Sequence, residues 1–305
     1  MRIFKYVSMK SAILIVESRT LRCAAPATFN DPFELQVFPM SRPVEKEQFI
    51  DELVRQFCEM QANGERVSLA EMHIKSPIKS LVALYHASEL DAKDDEAFIV
   101  FLRQWLSERS MSNGPSDWTR LVHRRIAHAL HVCCFSANSS SLLMWSHYAD
   151  HHRGVILEFE SDGPPSLLRG VRQVRYVDDF PHEDDLEESA ASNLGRPRKP
   201  ERAQEILDQM LFTKSTEWSY EAEWRVLLSA SEELVSYRAF PDKSLVSIHV
   251  GCRCDRDAAW ELALVAKKLN PALEVYSRSL DPTGFRLLTS LVVAANEIPE
   301  AAPEG

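Results

Sequence analysis

The sequence is poor in glycine, with only nine glycines among its 305 residues. It contains neither a G-x-G-x-x-G run nor the G-x-x-x-x-G-K-[ST] pattern that cradles phosphates. Dinucleotide-binding and P-loop folds need glycines where the backbone approaches a phosphate, so both architectures are disfavoured. The sequence also lacks any apolar stretch near the roughly 20 residues that span a bilayer, and no membrane segment is expected.

Cysteine is sparse and scattered, with six residues and no dense disulfide framework. Cys133 and Cys134 lie in an apolar run, which indicates buried thiols. Cys252 and Cys254 are separated by one residue, which is shorter than the usual zinc knuckle, and no second pair completes four ligands. The apolar run at 12–16 is too short for the core of a signal peptide. We therefore expect a cytoplasmic protein.

Positive charge is in deficit, because 35 Lys and Arg residues face 45 Asp and Glu residues, for a formal net charge of −10. Non-specific binding to duplex DNA depends on clustered Lys and Arg, so we do not expect it. Hydrophobic residues make up 45% of the chain and charged residues 26%, as in ordinary globular proteins. A chain of this length can bury a large core.

Short strand-like segments surround a long stretch with helical periodicity. From about 43 to 130, apolar residues such as Leu53, Phe57 and Met60 recur at three to four positions. Because regular β-α-β alternation is missing, the pattern predicts an α+β fold with a mixed, largely antiparallel sheet, and a split sheet is an open alternative. We expect a single domain at 1–295 that contains this helical insertion, followed by a flexible tail at 296–305.

The segment Phe29–Glu34 reads FNDPFE and predicts a turn between two phenylalanines. Asn30 and Asp31 precede Pro32, so their side chains can accept hydrogen bonds from the backbone N–H groups of an Asx turn. The alternative is that Asn30 or Asp31 lines a binding pocket. The sequence leaves both interpretations open.

The segment Leu143–Asp150 reads LMWSHYAD and predicts a short helix after a strand that ends at Ser136. Trp145 and Tyr148 are expected on one side of this helix, where their rings could form the wall of a site with Ser136 at its edge. Packing of the same rings in the core is the alternative.

Two histidines in this region support a different hypothesis. His147 and His151 are four residues apart, which is a spacing of metal ligands on one helix face, and Asp150 could add a carboxylate. No third ligand is fixed by the sequence. A metal-dependent hydrolase or nuclease is therefore kept as an alternative function.

The densest chemistry lies in Trp218–Arg225, which reads WSYEAEWR. On an extended strand, Glu221 and Glu223 would point to the same side. The neighbouring aromatic rings favour a site in which negative charge lies beside a π-face, with Lys214 and Arg225 as nearby cations. The alternative is a surface strand where Glu223 pairs with Arg225, and such an exposed pair contributes only about 0–1 kcal/mol.

Together with the opening Phe4-Lys5-Tyr6, these motifs resemble a family of bacterial proteins classed as a domain of unknown function. The resemblance covers roughly residues 3–35 and 130–253 and implies no established activity. The order of the strands more weakly resembles the split-sheet ADP-ribosyltransferases. Those enzymes carry Arg or His on the first strand, Ser or Tyr on a middle strand and Glu on the last.

This second resemblance implies that NAD is the substrate and that a macromolecule accepts ADP-ribose, by analogy in a toxin or phage-defence effector. Carried over by position, it implies a catalytic role for Glu223, with Glu221 beside it and Ser136 on the middle strand. Trp145 and Tyr148 could stack on the nicotinamide or adenine ring. The residues expected to bind NAD are Lys5, Tyr6, Asn30, Asp31, Trp145, Tyr148, Lys214 and Arg225. A non-enzymatic nucleotide-binding sensor module is the other alternative.

Overall fold

The computed structural model describes residues 1–35, 46–64, 96, 99–100, 103–104, 127–160, 170–179, 186–194, 196, 200–228 and 236–297. The chain forms two compact units. The first consists of Met1–Glu34, Ala127–Asp178 and Phe212–Gly305, and the second of Leu35–Ile126 and Asp179–Leu211. Most of the predicted helical insertion at 43–130 and of the predicted tail at 296–305 lies outside the described residues. The expected domain boundaries therefore stay a prediction.

A large mixed sheet organises the first unit. The strands of this unit are β1 (Arg2–Val7), β2 (Thr20–Arg22), β3 (His131–Ser136), β4 (Val155–Glu160), β5 (Arg172–Gln173), β6 (Arg175–Val177), β7 (Thr213–Ser215), β8 (Glu223–Leu228), β9 (Tyr237–Ala239), β10 (Leu245–Val250), β11 (Glu274–Leu280) and β12 (Leu287–Val293). Eight of them form one sheet in the order β12-β11-β10-β4-β1-β3-β8-β5, while β2 pairs with β9 and β6 with β7. In the large sheet only β10 and β11 are parallel. The predicted α+β class and largely antiparallel sheet are confirmed.

The helices of the first unit are α1 (Met9–Ser18), α3 (Leu142–Tyr148) and α6 (Arg256–Leu269), and those of the second are α2 (Lys46–Ala62), α4 (Leu186–Asn193) and α5 (Pro200–Leu211). Short 3-10 helices span Pro26–Thr28, Thr216–Glu221 and Asp242–Ser244. None of the helices within the described residues combines the length and the apolar character that crossing a membrane requires.

Capped amphipathic helices cover one face of the large sheet. Ser8 caps α1, because its hydroxyl accepts a hydrogen bond from the Ser11 N–H. Asp255 caps α6 in the same way. Buried apolar residues of both helices, including Val16 and Leu262, form one core with inward residues of the strands, such as Ile248. Burial of this face fixes which residues of each strand point to the other face, where the candidate site lies.

The two halves of the large sheet meet at a narrow junction. β1 pairs with β4 at six positions but with β3 at one, where Phe4 lies opposite Ser136. The Lys5 ammonium donates a hydrogen bond of 2.7 Å to the Cys134 carbonyl of β3 and lies 5.6 Å from the centre of the Phe135 ring. The Lys5 side chain therefore connects β1 and β3 where two fully paired strands would form a backbone hydrogen bond.

The second unit is helical over its described residues. Helix α2 buries Leu53, Phe57 and Met60 on one side, which confirms the predicted periodicity of this stretch. Its Gln56 amide donates a 2.7 Å hydrogen bond to the Glu187 carbonyl of α4. Apolar burial and a side-chain contact thus hold α2 and α4 together.

Candidate functional site

A cavity of about 200 Å³ lies beside the narrow junction between β1 and β3. Its lining residues are Phe4, Lys5, Tyr6, Arg22, Ala24, Phe29, Asn30, Val132, Cys134, Phe135, Ser136, Met144, Tyr148, Lys214, Glu221 and Glu223. Eight of the eleven predicted site residues are among them. The other three, Asp31, Trp145 and Arg225, are not. We call this space the acid cavity.

Glu221 and Glu223 reach the acid cavity from different backbone elements, which corrects the prediction of one continuous strand. Thr216–Glu221 forms a 3-10 helix, and Ala222 then adopts the left-handed region with a φ of 45°. Strand β8 begins only at Glu223. Because the two-residue alternation requires extended backbone at the intervening position, it does not hold here. The two acids meet through the turn at Ala222.

The buried end of this acidic group is a set of three residues, Glu34, Glu223 and Arg225, which we call the sealed end. Arg225 donates to both oxygens of Glu223 at 2.9 and 3.0 Å and to both oxygens of Glu34 at 2.6 and 2.9 Å. Its side chain is fully buried. The planar guanidinium suits such two-point contacts with carboxylates. The predicted alternative of an exposed surface pair is therefore wrong.

Charge and burial act in opposite directions on the sealed end. Burial is the largest influence on Glu223 and raises its pKa, but Arg225 and then Lys214 outweigh it, so that the pKa falls from 4.5 to about 2. For Glu34, burial is again the largest influence, and it raises the pKa although Arg225 offsets part of the rise. In the fold, the ionised form is thus favoured for Glu223 and disfavoured for Glu34.

The other end of the acidic group lines the acid cavity together with Glu223. It consists of Asn30, Tyr148, Lys214 and Glu221, and we call it the open end. Lys214 donates to one oxygen of Glu221 at 2.6 Å and lies 3.5 Å from the nearer oxygen of Glu223. Tyr148 donates to the other oxygen of Glu221 at 2.5 Å and accepts from the Asn30 amide at 3.1 Å. Burial and the neighbouring Glu221 raise the pKa of Tyr148, so it acts as a neutral donor.

The two ends together form one acid network of three carboxylates and two cations. With all five groups ionised it carries one net negative charge. This charge lies beside the rings of Phe4, Phe29, Tyr6, Phe135 and Tyr148 in the cavity lining. Such an arrangement can stabilise a cation or a flat ring that carries positive charge.

Ser136 lines the acid cavity, but its hydroxyl is engaged by the protein. It donates to the Glu221 carbonyl at 2.6 Å and accepts from the Asn138 N–H at 3.0 Å. The side chain is buried and lies opposite Glu223 in the β3–β8 ladder. These contacts are those of a residue that positions Glu221, whereas the sequence analysis expected a catalytic role for Ser136.

Asp31 and Trp145 serve the fold and do not face the cavity. The Asp31 carboxylate accepts a 2.9 Å hydrogen bond from the Phe33 N–H, which confirms the Asx turn. Asn30, in contrast, lines the cavity, as the alternative interpretation of the FNDPFE segment predicted. Trp145 is fully buried, donates to the Ser139 carbonyl at 3.1 Å and packs edge-on against Tyr6. It therefore lies behind the cavity wall because its large ring occupies the core side of α3.

The predicted pairing of His147 with His151 on one helix face is wrong. Helix α3 ends at Tyr148, and Asp150, His151 and His152 all adopt left-handed φ values of 46°, 54° and 69°. The i, i+4 geometry is therefore lost. Within the part of the chain that the structure describes, no group of three or more His, Cys, Asp or Glu side chains could hold a metal ion.

The sequence analysis assigned no role in the site to Glu34 or Tyr176. Glu34 closes the FNDPFE segment and contacts Arg225 across 191 positions of the chain. Tyr176 in β6 accepts a 2.8 Å hydrogen bond from the Glu223 N–H and so fixes the start of β8. The acid at the end of a recognised motif was a signal for Glu34, but nothing local in the sequence indicated Tyr176.

The match to a known family covers the centre of this site. Residues 144–226 match the family described as "Protein of unknown function (DUF2971)". This stretch is similar to a bacterial-type domain of unknown function. It runs from α3 into β8 and includes Tyr148, Lys214, Glu221 and Glu223. No curated protein and no solved structure matches the chain.

Proposed function

We propose that the acid cavity binds the nicotinamide riboside end of NAD and that the chain is an NAD-dependent ADP-ribosyltransferase acting on a macromolecule. The observation that carries this proposal is the meeting of Glu221 and Glu223 in one cavity with an aromatic wall. Cleavage of the bond between nicotinamide and ribose develops positive charge on the sugar, as glycoside cleavage does. A net negative network in a largely dry site supports that charge.

The size of the cavity limits which part of NAD it can hold. Its volume of about 200 Å³ is below the roughly 300–1,000 Å³ of sites for drug-sized ligands. We therefore place the nicotinamide and its ribose inside, and the diphosphate and adenosine outside. The rings of Phe4, Phe29 and Tyr6 supply faces for the nicotinamide.

For the cation that binds the diphosphate, we replace the residues expected from the sequence with a different one. Lys214 and Arg225 are engaged by carboxylates, and Lys5 donates to a backbone carbonyl. Arg22 lines the cavity and is exposed, so its guanidinium is the better candidate for a group that lies partly outside. Arg22 did not stand out in the sequence.

Glu221 is the carboxylate that we assign to the chemistry. The bond between C1′ of the ribose and the nicotinamide nitrogen breaks, and its electron pair leaves with nicotinamide. The acceptor's nucleophilic atom then forms a bond to C1′ and gives its proton to the Glu221 carboxylate. Tyr148 and Lys214 hold that carboxylate in place, one on each oxygen. Glu223, whose two oxygens are both bound by Arg225, supplies further negative charge in the same cavity.

Transfer of label from NAD tests this proposal. Purified protein is incubated with adenine-labelled NAD and cell lysate, and label is followed into protein, RNA and DNA. We expect the wild type to label one of these classes and Glu221→Gln to lose at least about 100-fold of the rate, as enzymes do when a charge-stabilising group is removed. Glu217→Gln, an exposed acid in the same 3-10 helix, is the matched control and should keep the rate. No labelling by the wild type would contradict the proposal.

A non-enzymatic sensor module is the second candidate. It is favoured by the observation that every oxygen of Glu221 and Glu223 already accepts a hydrogen bond from the protein. A network satisfied in this way could recognise a cationic ring without reacting. NAD would then raise the midpoint of thermal unfolding, and neither nicotinamide nor labelled acceptor would form.

A further inference from the structure

A second and larger cavity lies in the first unit, between the turn after α3, the residues after β10 and the β11–β12 hairpin. Its volume is about 550 Å³, which is within the range of small-molecule sites. Its lining includes His152, Cys252, Arg253, Leu280, Phe285 and Arg286. It shares no lining residue with the acid cavity. We call it the hairpin cavity.

The charge of the hairpin cavity is opposite to that of the whole chain. Arg286 is paired with Asp281, also in the lining. Arg253 is exposed, and no carboxylate in the described ranges pairs with it. One uncompensated guanidinium therefore faces this space in a protein of net charge −10. A guanidinium without a protein partner is suited to a phosphate or carboxylate.

His152 belongs to the wall of the hairpin cavity. Its Nδ1 atom is buried and has no hydrogen-bond partner among the described residues. Its ring lies parallel to that of Trp145, at 8° and 6.5 Å between centroids. Because Nδ1 is shielded in this way, a ligand in the cavity would meet the rest of the imidazole ring.

The backbone holds His152 in this position at a conformational cost. Asp150, His151 and His152 are all left-handed, a conformation that residues other than glycine adopt rarely. The turn is fixed by contacts on both sides. The His152 carbonyl accepts from the Arg253 N–H at 3.1 Å, and an added Cβ on Gly251 would lie 2.2 Å from the same oxygen. The strained turn and the residues that carry Arg253 therefore fit each other closely.

An exposed aromatic ring completes the hairpin cavity. Phe285 is fully exposed, and Leu280 is 74% exposed on the adjoining end of β11. An aromatic ring that is exposed in this way offers a surface on which a nucleobase can stack. The cavity thus presents a flat apolar contact and a cation.

We propose that the hairpin cavity binds a mononucleotide, with the base against Phe285 and the phosphate at Arg253, beside His152 in the lining. The proposal goes beyond the transferase hypothesis and does not depend on it, since the two cavities have separate linings. A free nucleotide in this position would place an anion where the protein has an unmatched cation.

Calorimetric titration with AMP tests the proposal. We expect wild type to bind AMP, and Arg253→Gln and Phe285→Ser each to weaken binding about tenfold or more, as loss of a charge-assisted contact or of a stacked base predicts. Arg256→Gln is the matched control, because Arg256 is an exposed arginine three residues further on that does not line the cavity. Glu221→Gln should bind AMP as the wild type does.

Four results would overturn the proposal. The wild type could fail to bind AMP at millimolar concentration, or Arg253→Gln and Phe285→Ser could bind it unchanged. Adenosine could bind as tightly as AMP, which would remove the role of Arg253. Glu221→Gln could lose AMP binding, which would place the nucleotide in the acid cavity. Arg253 and Phe285 are exposed, so their replacement should not destabilise the fold. Equal midpoints of thermal unfolding for the wild type and the variants would check this.

Discussion

The two ends of the acid network contain the same kind of carboxylate in different surroundings. At the sealed end, Glu223 is bound on both oxygens by a fully buried arginine. At the open end, Glu221 accepts one hydrogen bond on each oxygen, from a neutral tyrosine and from Lys214. Two acids that are separated by one residue in sequence thus take different parts. Both acids line the acid cavity and are similarly buried, so the difference lies in their partners: Arg225 holds Glu223, and Glu221 is the acid that we propose for the chemistry.

The largest expected effect comes from breaking the sealed end. Arg225→Met leaves Glu34 and Glu223 buried without their shared partner, and removal of one member of a buried ionic cluster costs about 3–5 kcal/mol. The free energy of unfolding in urea measures the loss. Arg19→Met is the control, because Arg19 is 59% exposed and pairs with Asp242 on the surface. Such an exposed pair contributes only about 0–1 kcal/mol to the free energy of unfolding. Equal losses in the two variants would contradict the comparison.

Lowering the pH tests the role of Glu223 at the sealed end. Its pKa is lowered from 4.5 to about 2 in the fold, so its contribution to stability is complete above pH 4.5 and is lost as the pH falls toward 2. The contribution is on the order of 3 kcal/mol, since one pKa unit corresponds to about 1.4 kcal/mol. Unfolding in urea across this pH window should therefore show a flatter dependence for Glu223→Gln than for wild type.

The raised pKa of Glu34 acts with the opposite sign. Its contribution is present at low pH and is lost as the pH rises through its folded pKa. Because the charge of Glu223 is one cause of this rise, the slope should be smaller in Glu223→Gln. A Glu223→Gln protein whose stability falls with acid as steeply as that of the wild type would show that the low pKa has been assigned to the wrong residue.

The matched change at the open end should cost far less stability. In Glu221→Gln, the amide oxygen can still accept from Lys214, and the amide nitrogen can donate to Tyr148, which can turn its own proton toward the Asn30 oxygen. We expect a loss of about 1 kcal/mol or less, against a clearly larger loss in Glu223→Gln. Thermal unfolding of the two variants side by side decides whether the ends differ as described.

The smallest effect is expected at the rim of the open end. Tyr148→Phe removes one donor to Glu221 and should reduce the transfer rate by about tenfold, with a stability change of about 1 kcal/mol. Asn30→Ala removes only an exposed contact to Tyr148 and should change both quantities less. A larger loss in Asn30→Ala than in Tyr148→Phe would reverse the proposed order of contacts.

Features of the fold and of the site that depend on residues close together in the chain could be predicted from the sequence. Ser8 and Asp31 behave as a cap and an Asx turn because their short side chains reach backbone N–H groups a few residues on. The pairing of Glu223 with Arg225 follows from the two-residue period of a strand. The α+β class followed from short strands around a helical stretch.

The remaining features depend on contacts between distant segments. The left-handed Ala222 has no sequence signature, since alanine rarely adopts that conformation, and Tyr176 and Ser136 hold the residues on its two sides. Glu34 meets Arg225 only after the large sheet has formed. Trp145 was expected to face a ligand, but burial of its ring in the core decides its position.

Release of nicotinamide from NAD in a single turnover tests the division between the two acids most directly. Wild type, Glu221→Gln and the control Glu217→Gln are compared at equal folded concentration, with an acceptor present. We predict that wild type and Glu217→Gln release nicotinamide at the same rate, and that Glu221→Gln, with a nearly unchanged unfolding midpoint, is at least about 100-fold slower. Equal rates in all three proteins, or no release by the wild type, would contradict the account.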